Sequence, residues 1–207
     1  MAAFWEGMIA GYGIAIPVGA IAILIVDTAL RGGFRPGFFA GAGAASADFL
    51  YATLAALAGT ALAETLRPLG ADLQVASAGV LIGLGIWGLM NVRKLAAPKE
   101  DAPAEVMGSG RTYVKFLGLT LLNPATVAYF AALIFGGSVG ALSTIDGRVL
   151  FVVGAALASL SWQTLLAVIG AAGSRFFSPR FRLITNVVGN VVVIGLGVRI
   201  MIGTFGA

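Results

Sequence analysis

The chain has 207 residues, 59% of them hydrophobic and only 11% charged, with no Cys and no His and a mean hydropathy of +0.98. Soluble domains run at about 45–50% apolar and about 25% charged, so this is the composition of an integral membrane protein. Without thiols or imidazoles, disulfides, zinc or copper sites, thiol redox chemistry and His-assisted nucleophilic catalysis are excluded or strongly disfavoured, and the formal charge of +4 sits in short basic clusters between apolar runs, a topology signal rather than a nucleic-acid footprint.

Six apolar runs are long enough to span a bilayer: Phe4–Leu30, Pro36–Leu62, Leu73–Val92, Thr112–Phe135, Val149–Ala172 and Leu183–Thr204. The N-terminal run greatly exceeds the roughly 7–15 apolar residues of a cleavable signal, so it is expected to stay as a span. Between the third and fourth runs, residues 93–111 hold Pro98, Pro103, Gly108, Gly110 and charges of both signs. They read as a hydrophilic linker between two three-helix halves, 1–92 and 112–207.

Orientation follows from Lys and Arg. Ten of them fall on one side: Arg31 and Arg35; Arg93, Lys94, Lys99, Arg111 and Lys115; Arg175, Arg180 and Arg182. The other side has Arg67 and Arg148, and Arg199 lies inside the sixth run. The positive-inside rule then predicts cytoplasmic basic loops and both termini outside.

The halves resemble each other. Ile82-Gly-Leu-Gly-Ile86 recurs as Ile194-Gly-Leu-Gly-Val198, Gly41-Ala-Gly-Ala-Ala-Ser46-Ala-Asp48-Phe49 aligns with Gly154-Ala-Ala-Leu-Ala-Ser159-Leu-Ser161-Trp162, and Pro17 corresponds to Pro124. A three-span unit repeated in tandem enters the membrane in opposite senses. The predicted fold is therefore all-α, six transmembrane helices as two inverted three-helix repeats, the plan of secondary transporters.

Asp48 is the central candidate. Counted from Pro36, it lies about 18 Å into its helix, past the middle of a roughly 30 Å hydrocarbon core. A carboxylate there costs about 2.5–3.5 kcal/mol on insertion scales, so it should face a polar cavity or a partner; a purely structural hydrogen bond to a neighbouring helix is the blander alternative. Pro17, near Gly19, and Pro124, after Asn123, each remove a backbone donor mid-span and free a carbonyl, Gly13 and Thr120 respectively. Such breaks persist where protein or water surrounds them, which predicts two discontinuous helices whose exposed ends could hold an ammonium or a carboxylate. Ser46, Ser159, Ser161 and Trp162 could line a polar path, although their hydroxyls could equally bond carbonyls in their own helices. Tyr51, one turn from Asp48, could hydrogen-bond a substrate. Asn186 and Asn190 read as a packing pair, Asp27 and Arg31 as an interfacial ion pair of little consequence, and Arg199 as a snorkelling side chain or, less favoured, a partner for Asp48. The small-residue faces Gly37-xxx-Gly41 and Gly79-xxx-Gly83 allow close helix packing and a homo-oligomer without requiring one.

Pro17-Val-Gly-Ala-Ile21, Ala29-Leu-Arg-Gly-Gly-Phe-Arg-Pro-Gly37, Gly41-Ala-Gly-Ala-Ala-Ser-Ala-Asp48-Phe-Leu-Tyr51 and Phe116-Leu-Gly-Leu-Thr-Leu-Leu-Asn123-Pro124 together resemble the LysE/RhtB family of amino-acid exporters. The resemblance runs nearly the whole chain. It departs at Ala20, where the family usually has a second proline. It implies a transporter rather than an enzyme, in the bacterial cytoplasmic membrane, with amino acids or similar small zwitterions as substrates, no cofactor and no metal, and with the Pro17 segment, Asp48 and Asn123-Pro124 on the pathway. The expected mechanism is proton-driven export, Asp48 being neutralised in turn by a proton and by a substrate ammonium as the halves rock. Divalent-cation efflux, performed elsewhere in the wider superfamily, is the alternative, but one central carboxylate without His or Cys is a poor donor set for it. An intramembrane hydrolase would need a base beside Ser46 or Ser159, and a non-transporting scaffold gives no reason for Asp48 or the paired prolines.

Overall fold

A computed structural model describes residues 1–17, 19–65, 70–91, 108–135, 144–173 and 179–205, and all regular structure among them is helical. Helix α1 (Ala2–Ala15) stops short of Pro17, and α2 (Ala20–Gly32) starts after Gly19, whose backbone is extended at φ −94° and ψ −168°. The two lie at 78° to each other. Helix α2 ends on Gly33 at φ +83°, whose N–H donates to the Ala29 carbonyl at 2.8 Å, the left-handed glycine stop that a side chain would strain. Helix α3 (Phe34–Thr65) follows at once, with Pro36 in its first turn where a missing N–H leaves no bond unmade. Its 32 residues extend about 48 Å, ample for a bilayer crossing. Helix α4 is Gly70–Met90.

A second bent pair of helices follows. Helix α5 (Ser109–Leu121) breaks at Leu122 and Asn123, and α6 (Pro124–Phe135) leaves at 58°. Proline stands at the first helical position of α6, where its lack of a donor is harmless, and the Asn123 side chain accepts from the Ala125 N–H at 3.1 Å as the cap. The Thr120 carbonyl, freed by Pro124, accepts instead from the Asn123 N–H at 3.1 Å. Helix α7 (Ile145–Ala171) begins under a Thr144 cap on the Gly147 N–H, and α8 is Pro179–Phe205.

Helices α3 and α7 cross at the centre. Both α1 and α2 lie on α7; both α5 and α6 lie on α3; α4 and α8 pair beside them. Two buried apolar clusters hold the bundle, one including Leu81, Tyr129, Phe130 and Phe151, the other Ile25, Phe116 and Leu166. The outside is apolar too, with Leu54, Leu57, Val114, Val149 and Ile202 more than half exposed, a surface suited to lipid rather than water.

Among the described residues, two helices, α7 and the Leu183–Phe205 part of α8, are long and apolar enough to cross a membrane alone, and each bent pair adds one span if its halves cross together. In α4 the apolar stretch Gln74–Met90 is shorter than a full span. Most of the predicted linker, 93–107, lies outside the described residues, as do Arg67, Arg93, Lys94, Lys99 and Arg175; Ser109–Arg111, read as linker, are the first turn of α5. Among the described residues Gly79 and Gly83 have nothing within 4 Å of where a side chain would begin, so this small-residue face packs on no other described helix, whereas Gly37 sits against Ala29.

Candidate functional site

Most hydroxyls in the bundle behave as their chemistry dictates in an apolar setting and donate to the carbonyl one turn back: Thr28 to Leu24, Ser46 to Ala42, Thr53 to Phe49, Thr164 to Leu160. Ser159 is different. Its hydroxyl donates across the helix interface to Asp48 Oδ2 at 2.6 Å, joining α7 to α3 where they cross. Asp48 is only 3% exposed and Ser159 fully buried.

Asp48 faces a cavity of about 550 Å³. Both helix breaks open into it, bringing Pro17 and Gly19 together with Asn123 and Pro124. Among its lining residues Asp48 is the only charged side chain. The remaining polar wall is neutral: Thr120, Thr126, Tyr129, Gln163, Asn186 and Asn190. Two of these atoms, Thr120 Oγ1 and Gln163 Oε1, are buried and make no hydrogen bond among the described residues. A buried polar atom left unmade costs about 1–3 kcal/mol, so a polar occupant that completes them binds at an advantage. One carboxylate, several neutral donors and acceptors and apolar walls at Ile21, Leu84, Trp87 and Leu119 suit a small solute carrying an ammonium group and some apolar surface.

The other predicted positions lie elsewhere. Ser46 accepts from Tyr113 Oη at 2.8 Å, tying α3 to α5. Ser161 donates to the Ala158 carbonyl and meets Tyr12 Oη at 3.0 Å, tying α7 to α1. Trp162 packs beside the Ile25 and Phe116 cluster. Tyr51, expected to reach a substrate, instead donates to the Leu121 carbonyl at 2.6 Å and stacks on Phe130 with ring centres 5.6 Å apart. That carbonyl is in the last turn of α5, where no intrahelical donor remains. Tyr51→Phe keeps the stack and removes the cap; the expected loss is about 1 kcal/mol, read as a lower midpoint of thermal unfolding in detergent. None of these four side chains lines the cavity.

Arg199, weighed above as a snorkelling residue or a partner for Asp48, pairs with Glu6 of α1 at 2.9 Å. Asp27 and Arg31 do pair, at 2.9 Å and about a third exposed, a setting in which such pairs contribute little. Of the cavity residues, Tyr129 and Thr126 were not singled out, and Asn186 and Asn190 were read only as a packing pair. Asn190 Nδ2 donates to the Asn186 side-chain oxygen at 2.6 Å, and a side chain at Gly88 would collide with that Asn190 amide, so the glycine makes room for it. The available signal was the bare presence of amides inside apolar runs. Their spacing reads equally well as helix packing, and only neighbouring helices show that both border the cavity.

The LysE type translocator family matches residues 13–204. The chain belongs to that family. Its description is that of a transport protein and not an enzyme. The lysine exporters LysE of Corynebacterium glutamicum and of Corynebacterium efficiens are each 42% identical to it over 85 residues, which is 41% of this chain and 36% of theirs. The match thus spans little more than a third of the length of those curated relatives. No solved structure matches the chain. In this LysE type translocator the matched region takes in the cavity, both helix breaks and the Asp48–Ser159 contact.

Proposed function

We propose that this protein is a secondary active exporter of amino acids or similar small zwitterions across the bacterial cytoplasmic membrane. Substrate and protons use Asp48 in turn. The six spans are the bent pair α1–α2, then α3, α4, the bent pair α5–α6, then α7 and α8, arranged as two three-helix repeats of opposite sense. Residues 1–92 form the first and 112–207 the second, joined by a cytoplasmic linker, with both termini on the outside. A homo-oligomer is compatible with this arrangement and not required by it.

The observation that carries this reading is the cavity at the two breaks, with Asp48 as the only charge among its described lining residues, in a chain of the LysE type translocator family. A membrane-embedded carboxylate is costly and is kept where it binds or relays charge. Broken helices meeting at such a site are the arrangement by which inverted-repeat transporters hold small ions and zwitterions. Lysine is the first substrate to test, because the relatives in Corynebacterium are named lysine exporters. Cation efflux gains no support, since no three of His, Cys, Asp or Glu gather among the described residues.

The test is a panel of labelled amino acids, lysine included, offered to proteoliposomes with and without a pH gradient. Flux of at least one amino acid, rising with the gradient, is expected. Equal flux in empty and protein-containing vesicles for every amino acid would sink the proposal.

A further inference from the structure

If the two halves are inverted repeats, α1 corresponds to α5, α2 to α6, α3 to α7 and α4 to α8. Most of the packing obeys this exchange: α1 on α7 matches α5 on α3, α2 on α7 matches α6 on α3, and the pairs α3–α7 and α4–α8 map onto themselves. The departures all have one direction. Helix α1 packs on α8 and α6 on α4, but α5 has no comparable seat on α4, nor α2 on α8, among the described residues. Instead α2 leans on α3, and α6 has no comparable contact with α7.

The two formed contacts belong to one end of the bundle, and the two missing ones to the other. Helices α1 and α6 occupy the end where α3 finishes and α7 begins; α2 and α5 occupy the end carrying Arg31, Arg35, Arg111 and Lys115. The cavity follows the missing contacts. Among the described residues helix α4 lines it only with Leu84, Trp87 and Gly88, from its last two turns, and α8 only with Asn186, Asn190 and Val193, from its first four to five turns. Among the described residues the cavity therefore opens at the basic end, which the positive-inside rule puts in the cytoplasm.

At the closed end three contacts hold the half-helices in place. Arg199 of α8 pairs with Glu6 of α1 at 2.9 Å. Tyr129 of α6 donates to the Ala10 carbonyl of α1 at 2.8 Å. Phe130 and Leu133 of α6 share the buried cluster with Ala78 and Leu81 of α4. Among the described residues only one Glu6 oxygen is paired; the other is buried without a hydrogen bond, so the closure holds an uncompensated acceptor and is poised to open.

We infer that Glu6–Arg199, with Tyr129 on the Ala10 carbonyl behind it, is the outer gate of this exporter, held shut here with the site open to the cytoplasm. On release α1 leaves α8 and α6 leaves α4, while α2 swings onto α8 and α5 onto α4, so that the missing contacts form as their counterparts break. Both broken helices keep their seats on α7 and α3, about which they turn. This rests on the inverted-repeat reading above, and its test is independent of which solute is carried.

The chain has no cysteine, so a single introduced thiol reports alone. Ile14, at the inner end of α1, lines the cavity. In Ile14→Cys a membrane-impermeant thiol reagent should react from the cytoplasmic side of vesicles and hardly at all from the outside. Adding Arg199→Gln, an exposed position whose loss leaves the core intact, should raise outside labelling about 2- to 5-fold, the shift expected from losing an ion pair of about 0.5–1 kcal/mol. Adding Arg31→Gln instead, which breaks a pair within α2, should leave outside labelling unchanged. Outside labelling as fast as cytoplasmic labelling in the unmodified background, or no response to Arg199→Gln, or an equal response to Arg31→Gln, each overturns the gate. If the gate behaves as described and no amino acid is carried, the failure lies with the substrate and not with the gate.

Discussion

Asp48→Asn is expected to cut transport by about 10- to 100-fold and to abolish what remains of its dependence on a pH gradient. The reasoning starts from size and charge. Asparagine fills the same volume and can still accept from Ser159 at the α3–α7 crossing, so the bundle keeps its contact. It cannot carry a negative charge or take up a proton. A desolvated charge-assisted hydrogen bond from a substrate ammonium is worth about 1.5–3 kcal/mol, which sets the size of the expected loss. Because a lone carboxylate in a buried site is itself costly, the variant should fold at least as well as the parent. Unchanged or raised thermal stability together with lost transport separates a functional acid from a structural one. Inside-out vesicles, in which export appears as uptake, give the transport reading. A variant that transports at the parent rate with the same gradient dependence would remove Asp48 from the coupling mechanism.

Gly7→Val is expected to destabilise the fold by about 3 kcal/mol, the upper part of the usual range for overpacking. Helix α1 lies against α7 with almost no side chain between the backbones. A Cβ at Gly7 would run into the Phe151 carbonyl and come within 2.9 Å of the Phe151 Cα, and at Gly154, on the opposite helix, it would meet the Phe4 carbonyl. The obstacle in each case is backbone, which cannot rotate aside, so the helices must separate. Separation would also pull Tyr12 from Ser161 and Tyr129 from Ala10. The matched control is Gly79→Ala, a glycine with open space around it. There the substitution should hold or raise stability by up to about 1 kcal/mol, because alanine favours helix over glycine. Thermal unfolding in detergent reads both. If the two variants melt alike, close α1–α7 packing is not what holds the first half-helix in place.

Some of this was legible in the residues alone. Composition and the length of the apolar runs set the membrane class, because lipid demands long uninterrupted apolar stretches wherever they occur. Pro17 and Asn123-Pro124 marked both helix breaks, since a missing N–H interrupts a helix whatever surrounds it. Asp48 stood out because a lone acid deep in an apolar run is costly in any fold. These are local or solvation properties, and the chain carries them without help from distant segments.

Other features depend on what comes near what. That Ser159, rather than Arg199, meets Asp48 depends on α3 crossing α7. Arg199 finds Glu6, 193 positions earlier in the chain, only because α1 lies on α8. Tyr51 was within a turn of Asp48 and suggested a ligand contact, but the unpaired end of α5 lies closer and takes its hydroxyl. Asn186, Asn190 and Gln163 become cavity wall through the side of the helix that is left unpacked, and periodicity in a uniformly apolar chain does not mark that side. Which end of the cavity is open is likewise set by helix contacts formed at one end and missing at the other. A sequence whose two halves resemble each other is compatible with either arrangement, and only the packing of the half-helices selects one.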